Sequence, residues 1–367
     1  MHFSPRNILL PIALAPMLFV SGLSGQTSQK ITAGKASDYG LVYTLPITAI
    51  DIYLEAEITE EHPGEFYNYA RRYLGDSKAI KEDSHSAILK RAVIVPRGVA
   101  DPDNRWAAQF KSGTTPYMIL DQQNIPLALN TEETAPTHEA SLPQATEKKA
   151  TILDSPAAKQ AITAEMARSS SISKKAELAS QRIFELRETR SDILSGDSEN
   201  QPADGKAMQL VLDNLSAQES ALTAMFLGTK NSWTVTEKYT IVPDSTDIRN
   251  QVLARLSAVD GLLEADNLAG SPVTVDIEIL EKGEIPVNEK GELKTFPKGG
   301  VAYNIPGRAL IKINYNGTTI ASQEISLAQA GITFGMNPAL FTDKKEPSKL
   351  IFDPSTGAIL LLGPANQ

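Results

Sequence analysis

Ile50, Ile52, Leu54, Ala56 and Ile58 alternate with Asp51, Tyr53, Glu55 and Glu57. A repeat of two puts every apolar side chain on one side only if the backbone is extended, so this stretch reads as a half-buried strand. The same alternation returns at Val273, Val275, Ile277 and Ile279. Between them the apolar spacing changes to three and four. Met208, Val211, Leu212, Leu215, Leu222, Met225 and Phe226 share one helical face, with Gly228 where a helix would stop. These periods together predict an α+β fold. β-rich N-terminal and C-terminal regions, with sandwich-like sheets, flank a central antiparallel helical hairpin.

The strand signal runs over Leu41 to Ile58 with a break expected at Pro46. After Pro63-Gly64, Phe66, Tyr69, Ala70, Tyr73 and Leu74 predict a short helix, which Gly75 ends. Ala87 to Val95 is a strand that stops at Pro96, and Tyr117 to Leu129 reads as a hairpin with a polar turn. Residues 26–37 form a flexible mature N-terminus, 38–130 an N-terminal β-rich domain and 131–150 a linker or mobile loop of Thr, Glu, Pro, Ala and Lys. Ala157 to Leu194 is helix-forming, with Ile183, Leu186 and Leu194 as its apolar stripe. It pairs with the helix at Asp204 to Phe226 to give a helical hairpin over 151–229. Residues 230–367 form a C-terminal β-rich domain, with strands at Trp233 to Val242 and Gln251 to Ser257. Its clearest unit is Ala309 to Ile325, a hairpin turning at Asn316-Gly317.

Residues 1–25 carry Arg6, an apolar stretch from Ile8 to Val20 interrupted by Pro11 and Pro16, and then small residues ending near Gly25. This is the order of a removable signal peptide, and its apolar core is too short to span a bilayer. The expectation is an exported protein, periplasmic or associated with the cell surface. Lys and Arg number 35 against 44 Asp and Glu, a net charge of −9 that becomes −10 when Arg6 leaves with the leader. Such a surface repels phosphate backbones and anionic headgroups, and no basic run offsets it, so neither nucleic acid nor a membrane surface is an expected partner. With no cysteine, the chain cannot form disulfides, thiolate metal sites or cysteine nucleophiles.

Candidate sites are few. The polar loop between the helices holds Asp192, Asp197, Glu199, Asn200 and Asp204, oxygen donors of the kind calcium uses, but without the spacing of a calcium loop. Its simpler reading is a helix-capping turn in which Asp204 or a neighbour caps the second helix. Asp197, Glu199, Asn200 and Asp204 are retained as a possible interaction loop. His62, His85 and His138 stay after the leader is gone, none with a sequence neighbour at metal-binding spacing. No G-x-S-x-G is present, and Gly299-Gly300 and Gly331 to Gly335 lack the lysine and helix of a phosphate loop. No cofactor or metal is expected. A glycosidase needs only two correctly separated carboxylates, and Glu55 and Glu57 share one strand face, but alternating exposed acids on a half-buried strand are what solubility alone produces, so no catalytic residue is assigned. Trp106, Trp233 and Tyr239, with Tyr117, lie in or beside β segments where a ring can stack on a sugar or clasp a peptide.

Three segments taken together resemble a known family. They are Tyr39-Gly40-Leu41-Val42-Tyr43-Thr44-Leu45-Pro46-Ile47-Thr48; Pro63-Gly64 with Tyr69-Ala70 and Arg72-Tyr73-Leu74-Gly75; and Leu194-Ser195-Gly196-Asp197 with Asn200, Pro202-Ala203-Asp204-Gly205 and Leu222 to Phe226. In this order they resemble an uncharacterised DUF-type family of exported Bacteroidetes proteins, and the likeness covers most of the mature chain. The family usually has a lysine after the Leu-Pro pair, where this chain has Ile47. The resemblance implies export and an envelope setting, with no catalytic residue or cofactor to carry over. The expected function is a non-enzymatic binding or structural module for an envelope protein or a glycan. The alternative is a carboxylate-dependent glycoside hydrolase acting on envelope or host polysaccharide.

Overall fold

In the computed structural model, which describes residues 29–30, 41–108, 116–136, 140–198, 201–202 and 205–365, the alternating stretch is part of a long strand with several neighbours. The strands are β1 (Gln29–Lys30), β2 (Leu41–His62), β3 (Ser84–Ala108), β4 (Met118–Leu120), β5 (Pro126–Leu129), β6 (Thr229–Ile241), β7 (Ile248–Ser257), β8 (Gly261–Glu264), β9 (Ser271–Glu281), β10 (Val301–Tyr315), β11 (Thr318–Met336), β12 (Ser348–Phe352) and β13 (Ile359–Pro364). They form three antiparallel sheets, in the orders β1-β3-β2-β6, β11-β10-β9-β7-β8 and β13-β12-β5-β4. The helices are α1 (Ala70–Leu74), α2 (Pro156–Ala161), α3 (Ala164–Arg168), α4 (Ile172–Ser195) and α5 (Lys206–Leu227). The chain is α+β and rich in strand. The leader expected at residues 1–25 and the flexible N-terminus expected at 26–37, apart from β1, lie outside the described residues.

β2 joins two cores. Its second half turns Ile50, Ile52, Leu54, Ala56 and Ile58 onto Val273, Val275, Ile277, Ile311 and Ile313 of the second sheet. Each of the valine, leucine and isoleucine side chains, fully removed from water, contributes about 1.5–3 kcal/mol. Its first half sends Tyr43 and Leu45 into another core with Leu129, Val301, Phe341, Leu350 and Phe352. Tyr43 is tied to the backbone of Ala302, accepting from its N–H at 2.7 Å and donating to its carbonyl at 3.2 Å, and burial pushes its hydroxyl pKa up. The two β-rich stretches therefore share their cores instead of building one each: β4 and β5 lie in one sheet with β12 and β13.

Neither proline ends its strand. β2 continues through Pro46, with a register shift between Thr44 and Pro46, and β3 runs on through Pro96 to Ala108. β6 pairs with β2 only from Ile50 to His62, so Pro46 sits where β2 has a single partner. β1 pairs with β3 only at Trp106 and Ala107, so Pro96 also faces an open side. A missing N–H costs no ladder bond at such an edge. The β10–β11 turn is as expected, with Asn316 and Gly317 at φ 48° and 76° between the paired Tyr315 and Thr318.

The helix-forming stretch from Ala157 is divided in three. Ser155, Thr163 and Ser171 each accept a bond from the backbone N–H three residues on, at Ala158, Met166 and Lys174, and so each starts a new helix. A third core joins Phe66 and Ala70 to Ala161, Met166, Ala179, Ile183, Leu186, Leu222 and Phe226. Leu194, expected in the apolar stripe, is exposed, and Ile193 takes the buried position. Part of the stretch 131–150, expected as a linker or mobile loop, makes defined contacts. Residues 140–149 lie along β6 and β3: Thr146 N–H donates to the Thr234 carbonyl at 2.9 Å, Asn231 to Lys149 at 2.5 Å and Arg91 to Ser141 at 2.9 Å.

Candidate functional site

α4 and α5 lie against one another, and one acid holds them. Arg187 Nε and Arg190 Nη1 each donate to Glu219 at 2.6 Å. With Ile183, Leu186, Leu222 and Phe226 turned inward, the pair leaves Phe184, Leu194 and Leu210 exposed at 51, 66 and 72%. Beyond α4, Ser195 Oγ donates to Asp197 Oδ2 at 2.7 Å and Asp197 N–H to the Asp192 carbonyl at 2.9 Å, while Gly196 takes φ 83°. Asp197 thus closes the C-terminal turn of α4. Glu199, Asn200 and Asp204, as well as His138, lie outside the described residues. α5 starts at Lys206, after Gly205, which supplies no side-chain cap. Among the described residues no three His, Asp or Glu are arranged to hold a metal ion, and no helix is long and apolar enough to cross a membrane.

The aromatic residues singled out in the sequence do not converge. Trp106 lies flat on Phe296, ring centres 5.5 Å apart and planes 7° from parallel, and its Nε1 donates to Asn104 at 2.7 Å. One face of the indole is therefore occupied. Trp233 and Tyr239 lie on one face of β6 and pack against the core between the first two sheets. Burial, with Glu264 and Glu237 nearby, raises the Tyr239 hydroxyl to about 12. Tyr117 is exposed, next to β4.

The opposite face of β2 carries an acid stripe with cations beside it. Asp51, 3% exposed, accepts from Lys238 at 2.8 Å, Arg97 at 3.1 Å and Thr240 at 2.7 Å. Burial opposes its ionisation, but the hydrogen bonds from Lys238, Arg97 and Thr240 prevail and hold the carboxyl below the ordinary range. Glu57 is bound by Lys90 at 2.6 Å, the extra residue that a bulge adds to β3. Glu55 and Glu57 thus share an open sheet face. A concavity at the edge of the second sheet, lined by Ser245, Thr246, Asp247, Leu280, Glu281 and Lys282 among others, contains two acids and no ring. There Asp247 accepts from the Ile279 N–H at 2.9 Å and Glu281 from Arg308 at 2.8 Å.

Where the helices join the long sheet, the fold gathers a cluster that no local spacing announces. His62 Nδ1 is 2.6 Å from Asp83 Oδ1, and its Nε2 is 3.7 Å from Glu60. His85, paired across the ladder with Glu60, brings Nδ1 to 3.9 Å from the same carboxylate, which Lys148 reaches at 2.5 Å. The Lys148 ammonium also lies 4.7 Å from the Trp233 ring centre. Its hydrogen bond holds the Glu60 carboxyl below the ordinary range against a smaller opposing effect of burial. The available signal was parity: alternation from Ile58 carries on to Glu60 and His62, beyond the point where the apolar pattern stops.

The family model for a domain of unknown function, DUF4831, matches residues 39–360. No curated protein matches, and no solved structure matches.

Proposed function

The chain belongs to the DUF4831 family, and from that premise we propose that it is an exported, non-enzymatic envelope module that binds another protein through its helical unit. The observation that carries this reading is that Phe184, Leu194 and Leu210 of α4 and α5 face water, while Ile183, Leu186, Leu222 and Phe226 of the same helices turn into the third core. Large apolar side chains left open on two helices that pack together offer apolar area for a protein contact. Of the two partner classes expected, Leu194 and Leu210, which have no ring to stack on a sugar, suit a protein better than a glycan, and Trp106, Trp233 and Tyr239 are engaged in packing. Export rests on the leader-like order of residues 1–25.

Recovery of a partner from an envelope extract by the purified protein tests the reading. Phe184→Ser with Leu210→Ser should weaken that recovery by about tenfold or more, the scale of losing two anchors. Equal recovery by the variant and the natural chain would remove the helical unit as the contact. Separately, cell fractionation should find the protein outside the cytoplasm with the leader cleaved.

A further inference from the structure

We propose that the histidine and carboxylate cluster at the root of the helical unit is a proton-responsive clasp, in which proton uptake by His62, beside Glu60 and His85, tightens the grip of residues 63–83 on the end of α5.

The position of the cluster gives it leverage. His62 is the last residue of β2 and Asp83 stands just before β3. Between them the chain leaves the sheet at Pro63-Gly64, forms α1, and holds the end of α5 by two backbone bonds, Phe66 N–H to Met225 at 2.7 Å and Ile80 N–H to Leu227 at 2.9 Å. Gly64 lies against the backbone of Met225, and Gly228 against the His62 carbonyl and Ile80. The His62–Asp83 bond joins the two ends of this excursion. The ladder already pairs Glu61 with Ser84 at its base, and this bond adds a charged closure one residue further out.

The charges give the cluster its sign. Glu60 and Asp83 face the two rings, and Lys148 enters from residues 140–149. β6 contributes Trp233 and, on the other face of the sheet, Lys230, which is taken up by Glu61 at 3.0 Å; Ser84 of β3 also donates to Glu61 at 3.2 Å. With both rings neutral, Glu60 and Asp83 outnumber Lys148 by one charge. One proton brings the cluster to balance, and a second overshoots it beside Lys148. A neutral imidazole gives Asp83 an ordinary hydrogen bond, whereas an imidazolium gives a charge-assisted one roughly twice as strong. Glu60, already held ionised by Lys148, keeps its charge when the ring takes up a proton. The added grip is thus present with the imidazolium and is lost as rising pH removes the proton.

Amide hydrogen exchange, corrected for the intrinsic pH dependence of the rate, tests the clasp on the full mature chain. Phe66 and Ile80 should be about two- to fivefold better protected at pH 5.5 than at pH 7.5, the range of a partly exposed ion pair. Ile311, in the second sheet, should keep one protection at both values. His62→Gln with His85→Gln retains polar side chains without a titrating group and should bring the ratio to one; Asp83→Asn should do so by a separate route. A ratio that persists in both variants, or a natural chain with none, would overturn the proposal.

Discussion

Asp51 shows how much of this fold is decided by single side chains. The alternation of β2 fixes that it points away from the apolar core, yet it is almost wholly covered, because Lys238 and Thr240 on one neighbouring strand and Arg97 on the other close over it. Asp51→Asn keeps the shape and removes the charge, leaving two cations facing a neutral amide. The expected loss is roughly 1–3 kcal/mol of unfolding free energy by urea titration, toward the lower end because both cations also reach water. The pH dependence follows from the same contacts. A carboxyl held below its ordinary pKa contributes stability that is fully present above the ordinary carboxylate range and is lost as pH falls through the lowered value. The natural chain should therefore lose more stability than Asp51→Asn between pH 5 and pH 2. Identical acid limbs would contradict this account of Asp51. The acid itself was visible in the sequence; its cations were not, since nothing in a strand's own pattern says which strands flank it.

At the scale of elements, the helical stretch divides at Ser155, Thr163 and Ser171 because each offers an oxygen to the N–H three residues ahead. Ser171→Ala should cost about 1 kcal/mol and fray the first turn of α4, detectable as faster exchange at Lys174. Gly98 makes a different point. A side chain there would run into the carbonyl of Pro354 in the turn between β12 and β13, with Pro46 on the other side. Gly98→Ala should destabilise by about 1–3 kcal/mol, the usual cost of overpacking, and thermal melting would register it. An unchanged melting temperature would mean that this turn is not pressed against β3. Apolar period and turn chemistry made β2, β9, α5 and the Asn316-Gly317 hairpin readable in advance. Proline signals at Pro46 and Pro96 misled, because they mark the loss of one hydrogen bond, and whether that loss matters depends on a neighbour strand that sequence does not supply.

For the whole molecule, β2 and β3 run through two cores, and the first sheet also receives the helical unit at its far end. Two β-rich stretches were legible, but not that β4 and β5 would close a sheet with β12 and β13, since pairing across the length of the chain leaves no local trace. The candidate sites were less legible than the fold. Of the interaction loop, Asp197 serves the end of α4, and the three rings stand apart from one another. The histidine cluster needed the ladder register of Glu60 and His85 to exist at all. The central claim is that the exposed apolar side of α4 and α5 is what this molecule presents to its partner. Photo-crosslinking in intact cells, with the reactive side chain placed at Leu194 or Leu210 and, as a control, at the equally open Leu268 between β8 and β9, tests it most directly. The account predicts one discrete adduct from the two helical positions and none from Leu268; an adduct from Leu268 with silence at the helices would contradict it.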